Sequence, residues 1–279
     1  MMAEDVMSSP VQVVTPEDTA AHARNLMIKH KVSRILVMEG DRLAGILTKK
    51  DLVYRLRQTE PIWRRRPIDR IPVSILMTES PVTIGPETPV REIAALMLDR
   101  MVSGLPVVNE GSVIGIVTKS DILRSEAAGA LKIPVTGLME EPVTISRYHS
   151  LDHIIDLLSE RDEKLIVVNN DGTLAGIITE TNLAFFEYAN ETGGIPEKDI
   201  KMLRKEASGG RKSYRYVTEV SAIAEDVMTH PVLTAPPETT AAEAVGLMIN
   251  HHINSVVIAR GSEILGIVKR DNILQEVAK

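Results

Sequence analysis

The chain has 279 residues, a formal net charge of -6 and no cysteine. The length suits about two domains, and the missing cysteine excludes disulfides, thiolate metal sites and cysteine nucleophiles, leaving a reducing, cytoplasmic setting as the expectation. No apolar run approaches the roughly 18 residues of a membrane span, and MMAEDVMSSP lacks the basic and apolar regions of a signal peptide. The acidic balance argues against a general nucleic-acid binder, and an aromatic content of 3% leaves few base-stacking platforms.

In chain order, one unit is written four times. Each copy opens on a Met: Met7 in VMSSPV, Met77 in LMTESPV, Met139 in LMEEPV and Met228 in VMTHPV. From that Met to the Gly of a downstream signature is 38 residues in copies one, two and four, and 37 in copy three. The signatures are GILTKKDL at 45–52, GIVTKSDI at 115–122, GIITETNL at 176–183 and GIVKRDNI at 266–273.

Inside a copy the apolar period changes in a fixed order. In the second copy, Val82-Thr83-Ile84 reads as a short strand, and Thr88-Pro89 as a helix N-cap with Pro at the first helical position. Val90, Ile93, Ala94, Met97 and Met101 then form one helical stripe, the helix ending near Ser103-Gly104. Leu105–Val108 and Val113–Thr118 form a hairpin, and a second helix runs from Asp121. The unit is β-α-β-β-α. The Leu-Met pairs 26–27, 96–97 and 247–248 sit on the same stripe and are expected in the core.

A unit of about 50 residues cannot bury both faces of its sheet alone, so copies should pair. EAAGALK at 126–132 is a loose Ala/Gly stretch that reads as a module boundary, giving module one at 1–128 and module two at 129–279. The units fall at about 1–58, 70–128, 132–190 and 220–279, with an inserted linker at about 191–219. Longer connections inside the pairs carry PIWRRRPIDR and EASGGRKSYRY.

IPVSILM at 71–77, IPVTGLM at 133–139, VSGLPVV at 102–108 and the four signatures resemble the CBS-domain proteins, in the four-repeat form with two Bateman modules. The match covers nearly the whole chain and resembles the gamma subunit of AMP-activated protein kinase and its stand-alone archaeal counterparts. It implies an α/β (α+β) fold of four units in a flat disc. Adenosine compounds would bind in clefts that join one unit's Thr-x-x-Asp end to its partner's opening segment and the turn after its first helix.

Carried onto this sequence, the resemblance implies four clefts. Cleft A joins Thr48, Lys50 and Asp51 to Ile71, Ser74 and Leu76, with Ser103 and Gly104 at the turn. Cleft B joins Thr118, Ser120 and Asp121 to Met1 and Glu4, with Ser33 and Arg34. Cleft C joins Thr179, Thr181 and Asn182 to Ala222 and Glu225, with Asn254 and Ser255. Cleft D joins Lys269 and Asn272 to Ile133, Thr136 and Leu138, with Lys164 and Leu165. An Arg in the Arg34 position points at phosphates in the kinase-subunit relatives, a task suited to a planar fork.

An ionised carboxylate at a helix start can accept from both hydroxyls of a ribose, and free helix N–H groups beside Thr48 or Thr118 suit a phosphate. The same Thr-x-x-Asp spacing is a capping box that only satisfies the helix. An amide at 182 and 272 can still cap but offers one acceptor and two donors, so cleft C is expected to bind weakly and cleft D most weakly. Lys269 and Lys164 could instead grip phosphates there. His30, Arg100, Arg161 and His251 share one position at the end of the first helix, facing a central channel or only complementing the helix dipole. Arg64-Arg65-Arg66 after Trp63 reads as a solvated linker run.

No catalytic motif is found in its required context, and no metal site is expected: His251 and His252 point about 100° apart on a helix. The expected function is a non-catalytic regulatory energy sensor binding AMP, ADP or ATP, with no catalytic cofactor. Its partners would be the adenosine ligand and a regulated protein that the sequence does not name, with no membrane contact. Homodimers are an open outcome, since such discs often pair. The alternatives are an S-adenosylmethionine- or methylthioadenosine-binding CBS protein, a nucleic-acid-binding regulator acting through Arg211–Tyr216, where basic and aromatic residues interleave, and a scaffold with no ligand.

Overall fold

The computed structural model describes residues 1–58, 70–161, 164–184, 200–207, 210–217 and 222–279. The Trp63 and Arg64–Arg66 run lies outside them, as does the side chain of Arg161. The described chain forms two compact units, one of residues 1–142 with 232–279 and the other of residues 143–231.

In the first unit, repeat one runs through α1 (Ala3–Val6), β1 (Val13–Val14), α2 (Ala20–Lys29), β2 (Arg34–Glu39), β3 (Arg42–Thr48) and α3 (Lys49–Gln58). Repeat two follows with α4 (Val73–Leu76), β4 (Thr78–Glu79), α5 (Val90–Asp99), β5 (Gly104–Asn109), β6 (Ser112–Thr118), α6 (Lys119–Leu123) and α7 (Glu126–Gly129). The second unit holds β7 (Val143–Ser146), α8 (Leu151–Arg161), β8 (Leu165–Val168), β9 (Leu174–Ile178), α9 (Glu180–Ala184), β10 (Ile200–Ala207), β11 (Gly210–Val217) and α10 (Ala224–Val227). Repeat four returns to the first unit with β12 (Thr234–Ala235), α11 (Ala241–Asn250), β13 (Ser255–Arg260), β14 (Glu263–Lys269) and α12 (Arg270–Val277). The predicted β-α-β-β-α order appears in repeats one, three and four, while in repeat two the expected strand Val82–Ile84 reduces to a single parallel bridge of Ile84 to Val107; the fold is mixed α/β with several small sheets.

In repeats one, three and four the short first strand pairs parallel to the next and the hairpin pairs antiparallel, as in β1–β2–β3, where Arg34 faces Thr48; β4 instead pairs antiparallel with β3 of repeat one. Val90, Ile93, Ala94 and Met97 are buried with Ala241, Ala244, Val245 and Met248 of α11 and Ile273 and Leu274 of α12 in one core cluster of the first unit. Met27, Met97 and Met248 lie in the core as the stripe predicts.

Three local readings are corrected. Pro89 rather than Thr88 is the N-cap of α5, because Pro89 is extended (φ -64°, ψ 141°) and stays outside the helix, and no side chain caps it. Met101 is not on the stripe: α5 stops at Asp99, Met101 takes φ 50° and its side chain is 85% exposed. Val102 N closes back on Met97 O at 3.0 Å, a Schellman-type end that Val32 and Ile253 repeat on Met27 O and Met248 O. The stretch after Ser125 is not loose, since α7 closes one turn, buries Ala128, and is anchored by Ser125 Oγ donating to Ile122 O at 2.6 Å.

Repeats exchange their opening segments. Met77 lies on Gly45, Met7 on Gly115, Met139 on Gly266 and Met228 on Gly176. A Cβ on any of these glycines would meet the methionine Sδ at 2.4–2.8 Å, which is why the signature opens on Gly. Backbone pairs lock the exchange: Ser8 with Ile116, Thr78 with Ile46, Glu140 with Ile267 and Thr229 with Ile177. Ala20 N donates to Ile71 O and Val90 N to Met1 O, tying repeats one and two in both directions. Ala241 N donates to Ile133 O and Leu151 N to Ala222 O, tying repeats three and four.

Candidate functional site

The β3 strand ends at Thr48, and the next turn brings Asp51 back to the strand end. Thr48 N and Thr48 Oγ1 both donate to Asp51 Oδ2, at 2.8 and 2.6 Å. In repeat two, Thr118 N and Oγ1 donate to Asp121 Oδ2 at the same distances, 2.8 and 2.6 Å. Each acid is nearly buried, at 9% and 7% exposure. The capping box therefore forms, but it uses one carboxylate oxygen.

The other oxygen faces side chains. Asp121 Oδ1 accepts from Ser8 Oγ at 3.3 Å and Arg124 Nη1 at 3.2 Å, and Asp51 Oδ1 pairs with Arg55 Nε at 3.1 Å. Arg55 continues to Leu76 O, Met77 O and Thr78 Oγ1, linking the first acid to the opening of repeat two.

The two signatures meet across Arg34. Strand register sets Thr48 opposite Arg34 and Thr118 opposite Gly104. Arg34 Nη2 donates to Ser103 Oγ at 2.8 Å, and a Cβ at Gly104 would strike the Arg34 side chain at 2.7–2.9 Å, so the arginine lies against bare backbone. Its Nε is buried and has no hydrogen-bond partner. Burial, with the nearby cation Arg270, lowers the Arg34 pKa to about 10 against an opposing pull from Asp121. Arg270, at the start of α12, donates to Ser120 Oγ at 2.9 Å, while Lys119 Nζ pairs with Asp271 Oδ1 at 2.6 Å. Repeats one, two and four thus place two arginines and an acid together. Ser8, Arg55, Arg124 and Arg270 were not singled out in the sequence. Ser8 is findable as the residue after an opening Met, and Arg55 and Arg124 as residues four and three beyond the acids.

Among the remaining cleft A and B residues, Ile71 and Leu76 are buried, Ser74 is exposed with its N–H on Pro16 O (3.0 Å), and Lys50 and Ser33 are exposed. Met1 and Glu4 are exposed and joined to the turn before α5 by backbone bonds.

The amide signatures are wired differently. Asn182 Oδ1 accepts from Thr179 N (3.0 Å) and Oγ1 (2.8 Å), while its Nδ2 donates to Val227 O (2.9 Å) and Thr229 Oγ1 (2.8 Å). Glu225 pairs with Arg147, and Thr181 is exposed. Asn272 Oδ1 accepts from Lys269 N at 2.7 Å, its Nδ2 donates to Glu140 Oε1 at 2.5 Å, and Lys269 Nζ pairs with Glu140 Oε2 at 2.5 Å. Thr136 is exposed, and Leu138 and Lys164 are half-buried. Asn254 and Ser255 fall in the first unit and the rest of cleft C in the second; Lys164 and Leu165 fall in the second and the rest of cleft D in the first. His30, Arg100 and His251 are the exposed C-caps of α2, α5 and α11, where a cation suits the helix dipole.

Four repeats, each with a Gly-opened signature seated under a partner's methionine, define a tandem-repeat protein whose copies pair. The CBS-domain model matches residues 3–58, 64–128, 135–187 and 224–279, and the chain belongs to the CBS-domain family. The solved structure of MJ1225 from Methanocaldococcus jannaschii, offered as a candidate archaeal homologue of γ-AMPK, is similar at TM-score 0.79 over 99% of both chains, with 20% identity. Inosine-5'-monophosphate dehydrogenase of Korarchaeum cryptofilum is 31% identical over 165 residues, 56% of this chain and 32% of that protein. The uncharacterized protein MJ1404 of M. jannaschii is 24% identical over 99% of this chain and 61% of its own length. The chain thus spans a third to three fifths of these two curated relatives.

Proposed function

We propose that this protein is a non-catalytic regulator that binds adenine nucleotides in the paired clefts of repeats one and two and passes occupancy to a regulated protein. One observation carries the reading: Arg34, half-buried with an unpartnered Nε, pairs across the strand with Thr48, reaches Ser103 and feels Asp121, and Asp51 and Asp121 each commit one oxygen to a helix start. A ribose is taken by the second carboxylate oxygen of Asp51 or Asp121 in exchange for the 3.1–3.3 Å side-chain contacts. A phosphate supplies an anion for the unpartnered Nε edge of Arg34. This second demand favours AMP, ADP or ATP over S-adenosylmethionine and methylthioadenosine, which carry no phosphate. The signatures of Asn182 and Asn272 bind more weakly, because their amide donors already hold acceptors.

Calorimetric titration of AMP, ADP and ATP into the wild-type chain and its Asp51→Ala and Asp121→Ala variants tests this. Each variant is expected to lose about tenfold or more in affinity at one site, since a charged hydrogen-bond acceptor contributes about 1.5–3 kcal/mol. Unchanged stoichiometry and affinity in both variants would refute the ribose role.

A further inference from the structure

We infer that the hairpin of β10 and β11 is a docking ribbon for single-stranded nucleic acid. The two strands form their own antiparallel sheet, and among the described residues no third strand joins it. Between Ile200 and Val217 the sequence carries Lys201, Arg204, Lys205, Arg211, Lys212 and Arg215 against a single acid, Glu206, in a chain whose net charge is -6. The register sets Lys201 opposite Tyr216, Leu203 opposite Tyr214 and Lys205 opposite Lys212. Alternate positions of a strand share a face, so these six residues share one, bringing together three lysines and two of the chain's five tyrosines.

That combination suits a single strand. Lysines neutralise phosphates, and tyrosine rings stack on bases whatever the sequence. Tyr214 and Tyr216 are two positions apart, about 7 Å along the strand. Bases stacked in a duplex rise about 3.4 Å per step, so two rings so spaced do not follow a continuous stack, but they fit bases splayed apart. An acidic protein surface would need the lysines only. A two-stranded ribbon is marginally stable alone, so a strand laid along this face also stabilises the hairpin. This inference stands independently of nucleotide binding in the clefts.

Fluorescence anisotropy with the full chain and labelled oligouridylate or oligothymidylate tests it. Binding is expected to weaken about 20-fold between about 50 and 200 mM salt if three phosphates are neutralised. The Tyr214→Ala/Tyr216→Ala variant is expected to bind at least about tenfold more weakly, and Tyr214→Phe/Tyr216→Phe to stay within a few-fold of wild type, because the rings remain. The Lys201→Ala/Lys205→Ala/Lys212→Ala variant should flatten the salt dependence. Preference for one oligomer tells whether the 2′-hydroxyl is read. Thermal melting of each variant, expected unchanged, separates lost contact from lost fold. No binding at the lower salt, or equal binding by the Tyr→Ala variant, overturns the inference. So does a change in sedimentation with no oligomer bound, which would make a second copy of the chain the occupant.

Discussion

Asp121 meets a hydroxyl from its partner repeat, Ser8 Oγ, whereas Asn272 meets a carboxylate, Glu140, and Asn182 a carbonyl, that of Val227. In the fourth signature the amide therefore answers the carboxylate that follows the partner's opening methionine. Asn272→Asp would set a second carboxylate against Glu140 in a nearly buried position, and urea unfolding is expected to show a loss of about 1–3 kcal/mol. Adding Glu140→Gln should restore most of it. Arg34 carries a cost of the opposite kind. Its folded pKa of about 10 lies below the ordinary arginine value, so the penalty is fully present below pH 10 and fades as pH rises from there towards that ordinary value. Arg34→Met is accordingly expected to raise the melting temperature of the nucleotide-free protein at neutral pH and to shrink the rise that ATP produces. Met101, exposed and left-handed, gives a third outcome. Met101→Gly should stabilise by about 1 kcal/mol, because the backbone conformation costs a side chain about 1–2 kcal/mol there.

At the scale of elements, the signature glycines differ in what crowds them. Beside Gly45 the backbone carbonyl of Thr78 lies 2.9 Å from an added Cβ, whereas beside Gly176 the close atoms all belong to the flexible Met228 side chain. Gly45→Ala is expected to cost about 1–3 kcal/mol by overpacking. Met77→Ala should not recover that loss in a double-mutant cycle, while Met228→Ala should relieve Gly176→Ala. The strands and paired helices of each repeat were legible because their apolar periods switch between two and 3.6, as in Val90–Met97 and Leu105–Val108. The β10–β11 hairpin was not. Its strands mix Lys, Arg, Ser and Tyr with few apolar positions, so the stretch carried no core-facing period and read as a linker. The end of α5 was missed because a Schellman turn was built without the glycine that usually announces it.

For the whole molecule, the residues that crowd Arg34 come from three repeats far apart in the chain, and no local motif links Arg270 to Ser120. The acids were legible as repeated letters. The cation that reaches Ser120 across 150 positions was not, because its place depends on tertiary packing of α12 against α6. ATP is expected to raise the unfolding temperature of the intact chain, and Arg270→Ala to reduce that rise without abolishing it, as differential scanning fluorimetry would show.

The seating of each methionine on another copy's glycine also bears on how such a chain can grow. A repeat gained or lost singly would always strand one glycine under no cover and one methionine over no seat. Copies must then come and go in twos, and the even number in this protein is a condition of its folding as much as a record of its duplication.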